Sequence, residues 1–262
     1  MKNTAQPFIS LQNIHKAFGS KKVLSGFNLD IEKGESVVIV GGSGSGKSVL
    51  LKTILGLLLP DSGHLMMDGV DMTRASSRER EAMNSRIGML FQNAALFDSL
   101  SIWENVAFGL ISGFGMKRSA AKEIAIEKLA MVGLGADVAP LFPDELSGGM
   151  RKRVGLARAI AGDPEILLCD EPTTGLDPIM GHVIDNLIVE SVQKLGATAI
   201  SITHDMPSAR RISTRMAMLY QGECIWNGAT SNIDHCDNDY VTQFITGSAH
   251  GPIKMELRNP KR

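Results

Sequence analysis

The chain has 262 residues, 44% of them hydrophobic and 21% charged, which is ordinary for a globular protein and enough for one large domain or a core with a smaller lobe. Its 27 basic and 28 acidic side chains leave a formal net charge of −1, which removes the electrostatic case for nucleic acid as principal partner. Cys169, Cys224 and Cys236 have neither metal-ligand nor disulfide spacing, so a reducing compartment is expected. The first seven residues lack the apolar stretch of a secretory leader, and the most apolar segment, Ile54 to Leu59, is far too short to span a bilayer. A role at a membrane would therefore need another chain to do the spanning.

In chain order, Ile9-Ser10-Leu11-Gln12 and Phe27-Asn28-Leu29-Asp30-Ile31 alternate apolar and polar residues, the period of half-buried strands. Between them lies His15-Lys16-Ala17-Phe18-Gly19. Phe18 reads either as an ordinary packing residue or as a platform on which a flat base stacks. Glu32-Lys33-Gly34-Glu35 is a turn into the apolar run Val37-Val38-Ile39-Val40.

That run opens onto Gly41-Gly42-Ser43-Gly44-Ser45-Gly46-Lys47-Ser48, followed by the helical Val49-Leu50-Leu51-Lys52-Thr53-Ile54-Leu55. Strand, glycine-rich loop and helix are the context of a phosphate-binding P-loop. Glycines let the backbone curl until its N–H groups point at phosphate oxygens. Lys47 supplies a charge for the β- and γ-phosphates, Ser48 a hydroxyl for Mg²⁺, and the helix its positive end. The stretch predicts a nucleotide site.

Pro60 to Gly63 is a turn, and His64 to Gly69 one arm of a hairpin. Arg74 to Arg86 is polar and charged, a loop or an exposed helical turn. Ile87 to Phe91 is a short buried strand that delivers Gln92. Residues 93 to about 160 change character. Trp103 to Phe108 suggests a short helix, and Ala121, Ile124, Ala125, Leu129 and Val132 recur at helical spacing up to a stop at Gly133. This is a helical lobe inserted into an α/β core. The core resumes with the apolar run Ile166 to Cys169, ending in Asp170-Glu171. A helix stripe from Met180 to Leu195 stops at Gly196, Ala197 to Thr203 is a further buried strand ending in His204-Asp205, and a hairpin turns about Gln221-Gly222. Strands alternating with helices predict a largely parallel sheet, with functional groups at the strand C-terminal ends. From Gly247 onward the composition reads as an extended tail.

Gln92, Asp170-Glu171 and His204 each follow a predicted strand. Each alone is weak, since an acid there can equally cap a helix and a lone histidine is usually structural. With a P-loop they form one set: Asp170 holds the Mg²⁺ environment, Glu171 accepts the proton of an attacking water, Gln92 ligates Mg²⁺ or positions that water, and His204 supports charge on the γ-phosphate. Leu146-Ser147-Gly148-Gly149-Met150 distinguishes among P-loop classes. Ser147 is a helix cap, and Arg151-Lys152-Arg153 in the first turn oppose the helix dipole, which an anion near that helix end would explain. One P-loop already holds the triphosphate of this chain. The second anion reader suggests another subunit's nucleotide and a head-to-tail pair; the alternative is a capped helix with a solvated basic face.

The P-loop, Gln92, Leu146–Met150, Ile166–Glu171, Gly175-Leu176-Asp177 and His204 resemble, in order and spacing, the ATPase subunits of ABC transporters over about residues 8–246. The resemblance implies an α/β P-loop NTPase with a RecA-like core, an antiparallel β subdomain and a helical subdomain at about 93–160, followed by a tail at 247–262. It implies two subunits sandwiching two ATPs. Phe18 would stack on adenine, residues Gly41 to Val49 would bind ATP, and Ser48, Gln92 and Asp170 would hold Mg²⁺. Glu171, His204 and Gln92 would be catalytic, and Ser147, Gly148, Gly149 and Asp177 would reach the partner's nucleotide. Met150 departs from the usual glutamine, which puts a contact of that glutamine, such as one to the ribose, in question and leaves the phosphate contacts intact.

Within that family, Leu90 to Asp98, Leu146 to Met150, Gly175 to Ile179 and Phe244 to Gly247 resemble the MlaF-like ATPases of Mce-type lipid transport systems. This implies an ATPase on the cytoplasmic face of the bacterial inner membrane. It would drive an integral-membrane permease partnered by an Mce-domain lipid-binding protein and move phospholipid between membranes, its tail reaching a second subunit. The rival readings are an ABC transporter ATPase for another substrate, a soluble ABC ATPase acting on DNA or the ribosome, and a P-loop kinase.

Overall fold

The structure is a computed structural model and describes residues 6–254. Two sheets carry the chain. Strands β1 (Ile9–Phe18), β2 (Lys21–Ile31), β4 (Ser62–Met67) and β5 (Val70–Asp71) form an antiparallel sheet of order β2-β1-β4-β5. The segment His15–Phe18, expected between two strands, belongs to β1. Its register slips between Leu11 and Ile14, where Asn13 takes a φ of 51°, and pairing then continues to Phe18. A bulge of this kind interrupts the alternation that marks a strand in sequence while leaving the strand intact.

The second sheet has the order β10-β9-β3-β8-β7-β6, with β3 (Ser36–Val40), β6 (Ile87–Leu90), β7 (Ile166–Asp170), β8 (Thr198–Thr203), β9 (Arg215–Tyr220) and β10 (Glu223–Ala229). β10 alone is antiparallel to its neighbour, through the Gln221-Gly222 hairpin with φ of 48° and 85°. Both faces are covered, which is why these strands read as unbroken apolar runs. Val37 and Ile39 face α1 (Lys47–Ile54) and the antiparallel sheet, whereas Val38 and Val40 face α7 (Met206–Ile212) and α8 (Asp239–Thr246).

Between β6 and β7 stand α3 (Ile102–Ser112), α4 (Arg118–Met131) and α5 (Gly148–Ala159), whose apolar faces share one core with Leu167, Cys169 and the long α6 (Pro178–Leu195). The polar stretch after Arg74 is a helix, α2 (Ser77–Asn84), started by a reciprocal cap in which Ser76 Oγ accepts from Glu79 N–H and Glu79 accepts from Ser76 N–H. Only Met83 of it is buried, so apolar periodicity could not announce it. Beyond α8 the chain folds back on the Gln243 side chain, whose amide donates to the Ser248 and Ile253 carbonyls and accepts from Ile253 N–H. The remainder of the expected tail, residues 255–262, lies outside the described residues. No helix among the described residues is long and apolar enough to cross a membrane.

Candidate nucleotide site

The P-loop runs from the end of β3 into α1. Gly41 must lack a side chain, because a Cβ there would stand 2.5 Å from the Leu219 carbonyl oxygen. Gly46, at φ 112°, caps α1 in a conformation open to glycine, with the Val23 carbonyl 2.9 Å from where a Cβ would be. The Lys47 ammonium is buried and donates to the carbonyls of Gly41 at 2.7 Å and Gly42 at 3.1 Å, with Glu171 Oε1 at 3.8 Å. Burial lowers its pKa, opposed by the charges of Glu171 and Asp170. Ser45 Oγ is buried and has no protein partner. A buried lysine whose hydrogen bonds go to loop carbonyls and an unpaired hydroxyl suit a phosphate, which would accept from both. Beside the loop a cleft of about 300 Å³ is lined by Phe18, Lys21, Val23, Gly44, Gly46, Lys47, Ser48 and Val49. Phe18 is 51% exposed, with the Lys16 ammonium 5.7 Å from its ring centroid, so it is no core residue.

At the ends of β7 and β8 the sheet brings Asp170, Glu171 and His204 to the same place. Glu171 takes a φ of 46°, unusual for a residue with a side chain. Its Oε2 accepts from Thr174 Oγ1 and Thr203 Oγ1, each at 3.2 Å, and lies 2.9 Å from His204 Nδ1. Asp170 is held above its ordinary pKa, first by burial and then by the charge of Glu171. A cation there would reverse that tendency. Among the described residues no group of three or more His, Cys, Asp or Glu side chains forms a metal cage. Mg²⁺ held through one carboxylate, a hydroxyl and nucleotide phosphates does not require one, and Asp170 with Ser48 supplies those groups. Gln92 follows β6 by two residues and is exposed at the same edge of the sheet.

Ser147, Gly148 and Asp177 are exposed away from these contacts. Ser147 Oγ caps α5 by accepting from Met150 N–H at 3.3 Å, and Asp177 Oδ1 caps α6 by accepting from Ile179 and Met180 N–H, each at 3.0 Å. The basic residues after the cap have a different explanation from the anion expected in sequence. Arg151 donates to the Leu146 carbonyl at 2.5 Å, Arg153 to that of Gly133 at 2.9 Å and Lys152 to that of Glu171 at 3.2 Å. They serve main-chain acceptors, so an anion reader at this helix end rests on Ser147 and the glycines alone. Lys152 is 5% exposed, and burial lowers its ammonium to about 8. Its position at helical spacing from Gly149, Leu156 and Ala159, all buried, was the available signal that it faces inward.

A profile of the ABC transporter family matches residues 24–174. The chain is 41% identical over 247 residues to the probable ribonucleotide transport ATP-binding protein mkl of Mycobacterium leprae, covering 94% of this chain and 71% of that one. It is 37% identical over 251 residues to the intermembrane phospholipid transport system ATP-binding protein MlaF of Haemophilus influenzae, covering 96% of this chain and 95% of that one. Among solved structures it is similar to an ATP-binding cassette dimer in a post-hydrolysis state bound to ADP and Pi, with a TM-score of 0.77 and 34% identity over 85% of this chain and 98% of the other. With a cradle for phosphate at the end of β3 and acidic groups at the end of β7, the chain belongs to the ABC transporter family, as an MlaF-like subunit that binds and hydrolyses ATP.

Proposed function

We propose that this ATPase powers phospholipid transport between the inner and outer membranes of a bacterium, from the cytoplasmic face of the inner membrane. The observation that carries the reading is the similarity to MlaF, which runs through 95% of that protein's length and so includes both lobes. Two copies close head to tail around two ATPs. In each site Gly41 to Val49 bind the phosphates, Phe18 stacks on adenine, and Ser48, Asp170 and Gln92 hold Mg²⁺, which neutralises charge on the phosphates when bound. The partner's Ser147, Gly148 and Gly149 complete the site, with its Asp177 beside them. Glu171 takes the proton of the attacking water. His204 Nδ1 is engaged by Glu171, and its other ring nitrogen, when it carries a hydrogen as well, donates to the γ-phosphate.

A permease helix docks where Phe91, Phe108 and Phe114, each at least 40% exposed, line a groove between β6 and the helical lobe, with the Phe97 ring tilted against Phe108 at a centroid distance of 4.6 Å. ATP does work because it binds the closed pair better than the open one. An Mce-domain lipid-binding protein joins through the permease.

Glu171→Gln tests the chemistry. The variant should bind ATP and elute as a dimer with it, while kcat falls ~10²–10⁴-fold, the usual share of a general base. Wild-type turnover would remove Glu171 from that role. The cargo is tested on the complex purified through this subunit. A permease, an Mce-domain protein and copurifying glycerophospholipid are expected. ATPase activity stimulated by ribonucleotides and indifferent to phospholipid would favour the reading suggested by mkl.

A further inference from the structure

Glu171 carries its carboxylate on a backbone that L-residues avoid, at φ 46°. Such a conformation persists only where the surroundings hold it. The carboxylate is held by Thr174, Thr203 and His204, and the main chain separately: Glu171 N–H donates to the Ile202 carbonyl at 2.9 Å, and Glu171 O accepts from Thr174 N–H at 3.3 Å and from the Lys152 ammonium at 3.2 Å. Of these partners Ile202 belongs to the neighbouring strand β8 and Thr174 to the turn that follows β7. Lys152 comes from another part of the molecule, the helix α5 of the inserted lobe. A lysine at 5% exposure is costly unless it has a specific task, and the catalytic set described above makes no use of it.

We propose that Lys152 is a positioning residue: it clamps the main chain of Glu171 and makes α5 and the base of the same chain move as one body. Five residues before Lys152, Ser147 begins the helix at an exposed tip. A shift of α5 when that tip meets the partner's nucleotide is therefore passed to the main chain of Glu171 by this charged hydrogen bond, beside the apolar packing of α5 on Leu167 and Cys169. The two sites of a dimer are coupled by this route, since the tip belongs to one site and the base to the other. This inference rests on the proposed role of Glu171 and on the head-to-tail pairing.

The experiment compares Lys152→Met, Lys152→Arg and Glu171→Gln in the full chain, measuring kcat, KM for ATP and the melting temperature. Lys152→Met should lower kcat about tenfold, the effect of ~1.4 kcal/mol at the transition state, while KM stays within twofold and the melting temperature within ~2 °C of wild type. Lys152→Arg, which keeps a charged donor, should recover at least a third of the rate. Wild-type kcat in Lys152→Met overturns the proposal. So does a fall in kcat accompanied by a matching rise in KM and a lower melting temperature, because a purely structural lysine would behave that way. Lys152→Arg as slow as Lys152→Met overturns it as well. Glu171→Gln keeps the two ideas apart: turnover at the wild-type rate there removes the base itself, whatever Lys152 does.

Discussion

Replacing Asn105 by leucine deletes a side-chain amide that α3 buries completely, at 0% exposure, and that organises the loop leading from Gln92 into the helical lobe. Asn105 Oδ1 accepts from Phe97 N–H at 2.7 Å, and Nδ2 donates to the carbonyls of Phe97 at 3.0 Å, Leu100 at 2.9 Å and Ser101 at 3.1 Å. Leucine has nearly the same shape and none of these groups. The Ser101 carbonyl keeps the α3 backbone bond from Asn105 N–H at 2.9 Å, and the Phe97 carbonyl keeps one from Leu100 N–H at 3.1 Å, which leaves the Phe97 N–H and the Leu100 carbonyl without these partners. Two groups are then left unpaired, at ~1–3 kcal/mol each, offset by ~1 kcal/mol from the added apolar burial. The expected loss is about 1–5 kcal/mol, read as a lower urea midpoint at unchanged slope. A loss under ~0.5 kcal/mol would show that the loop does not depend on this amide. Phe97 should also lose its fixed place against Phe108, so stimulation of the ATPase by the permease should fall further than the basal rate.

Two further outcomes follow from packing and charge. Gly88 of β6 lies against the end of α5, where an added Cβ would stand 2.0 Å from the Ala159 carbonyl oxygen and 2.9 Å from Pro164 Cγ. Gly88→Ala should cost ~2–3 kcal/mol and lower the melting temperature by roughly 4–10 °C; an unchanged melting curve would mean that strand and helix separate freely. Glu165 is held at about 2, first by its hydrogen bonds from Arg86 at 2.7 and 2.9 Å, an ion pair joining the start of β7 to that of β6. Its folded-state pKa is depressed, so its contribution is present above the ordinary value of 4.5 and is lost as the pH falls from there towards 2. The carboxylate is 41% exposed, so solvent screening keeps the contribution below ~1 kcal/mol. The stability gap between wild type and Glu165→Gln should close over that window, and a gap independent of pH would refute the assignment.

Much of the fold was legible because its signals are local. The β-branched run Val37 to Val40 between turn residues reads as a strand covered on both faces, and Gly41 to Ser48 needs no distant residue to be recognised as a phosphate loop. The same holds for the helix stop at Gly196, which takes the left-handed conformation its type favours, with a φ of 62°. Elsewhere the local signal was absent or misleading. The bulge at Asn13 hid the second half of β1, and α2 buries too little to show a stripe. The basic residues after Ser147 looked like a response to an anion because their acceptors, the carbonyls of Leu146, Glu171 and Gly133, include groups that come near only when the lobe folds onto the core.

Motif and spacing were sufficient for the chemical inventory: a lysine and a serine on a phosphate loop, an aspartate-glutamate pair after a buried strand, a histidine after the next. Their geometry was not available there. Parallel pairing of β7 with β8 sets Glu171 beside His204, and the crossover through the helical lobe carries Lys152 to the Glu171 carbonyl. The residue types proposed to meet a phosphate are written in order along the chain. Which groups hold one another in place depends on contacts between residues 19 and 33 positions apart, and those exist only once the sheet is assembled and the lobe is packed against it.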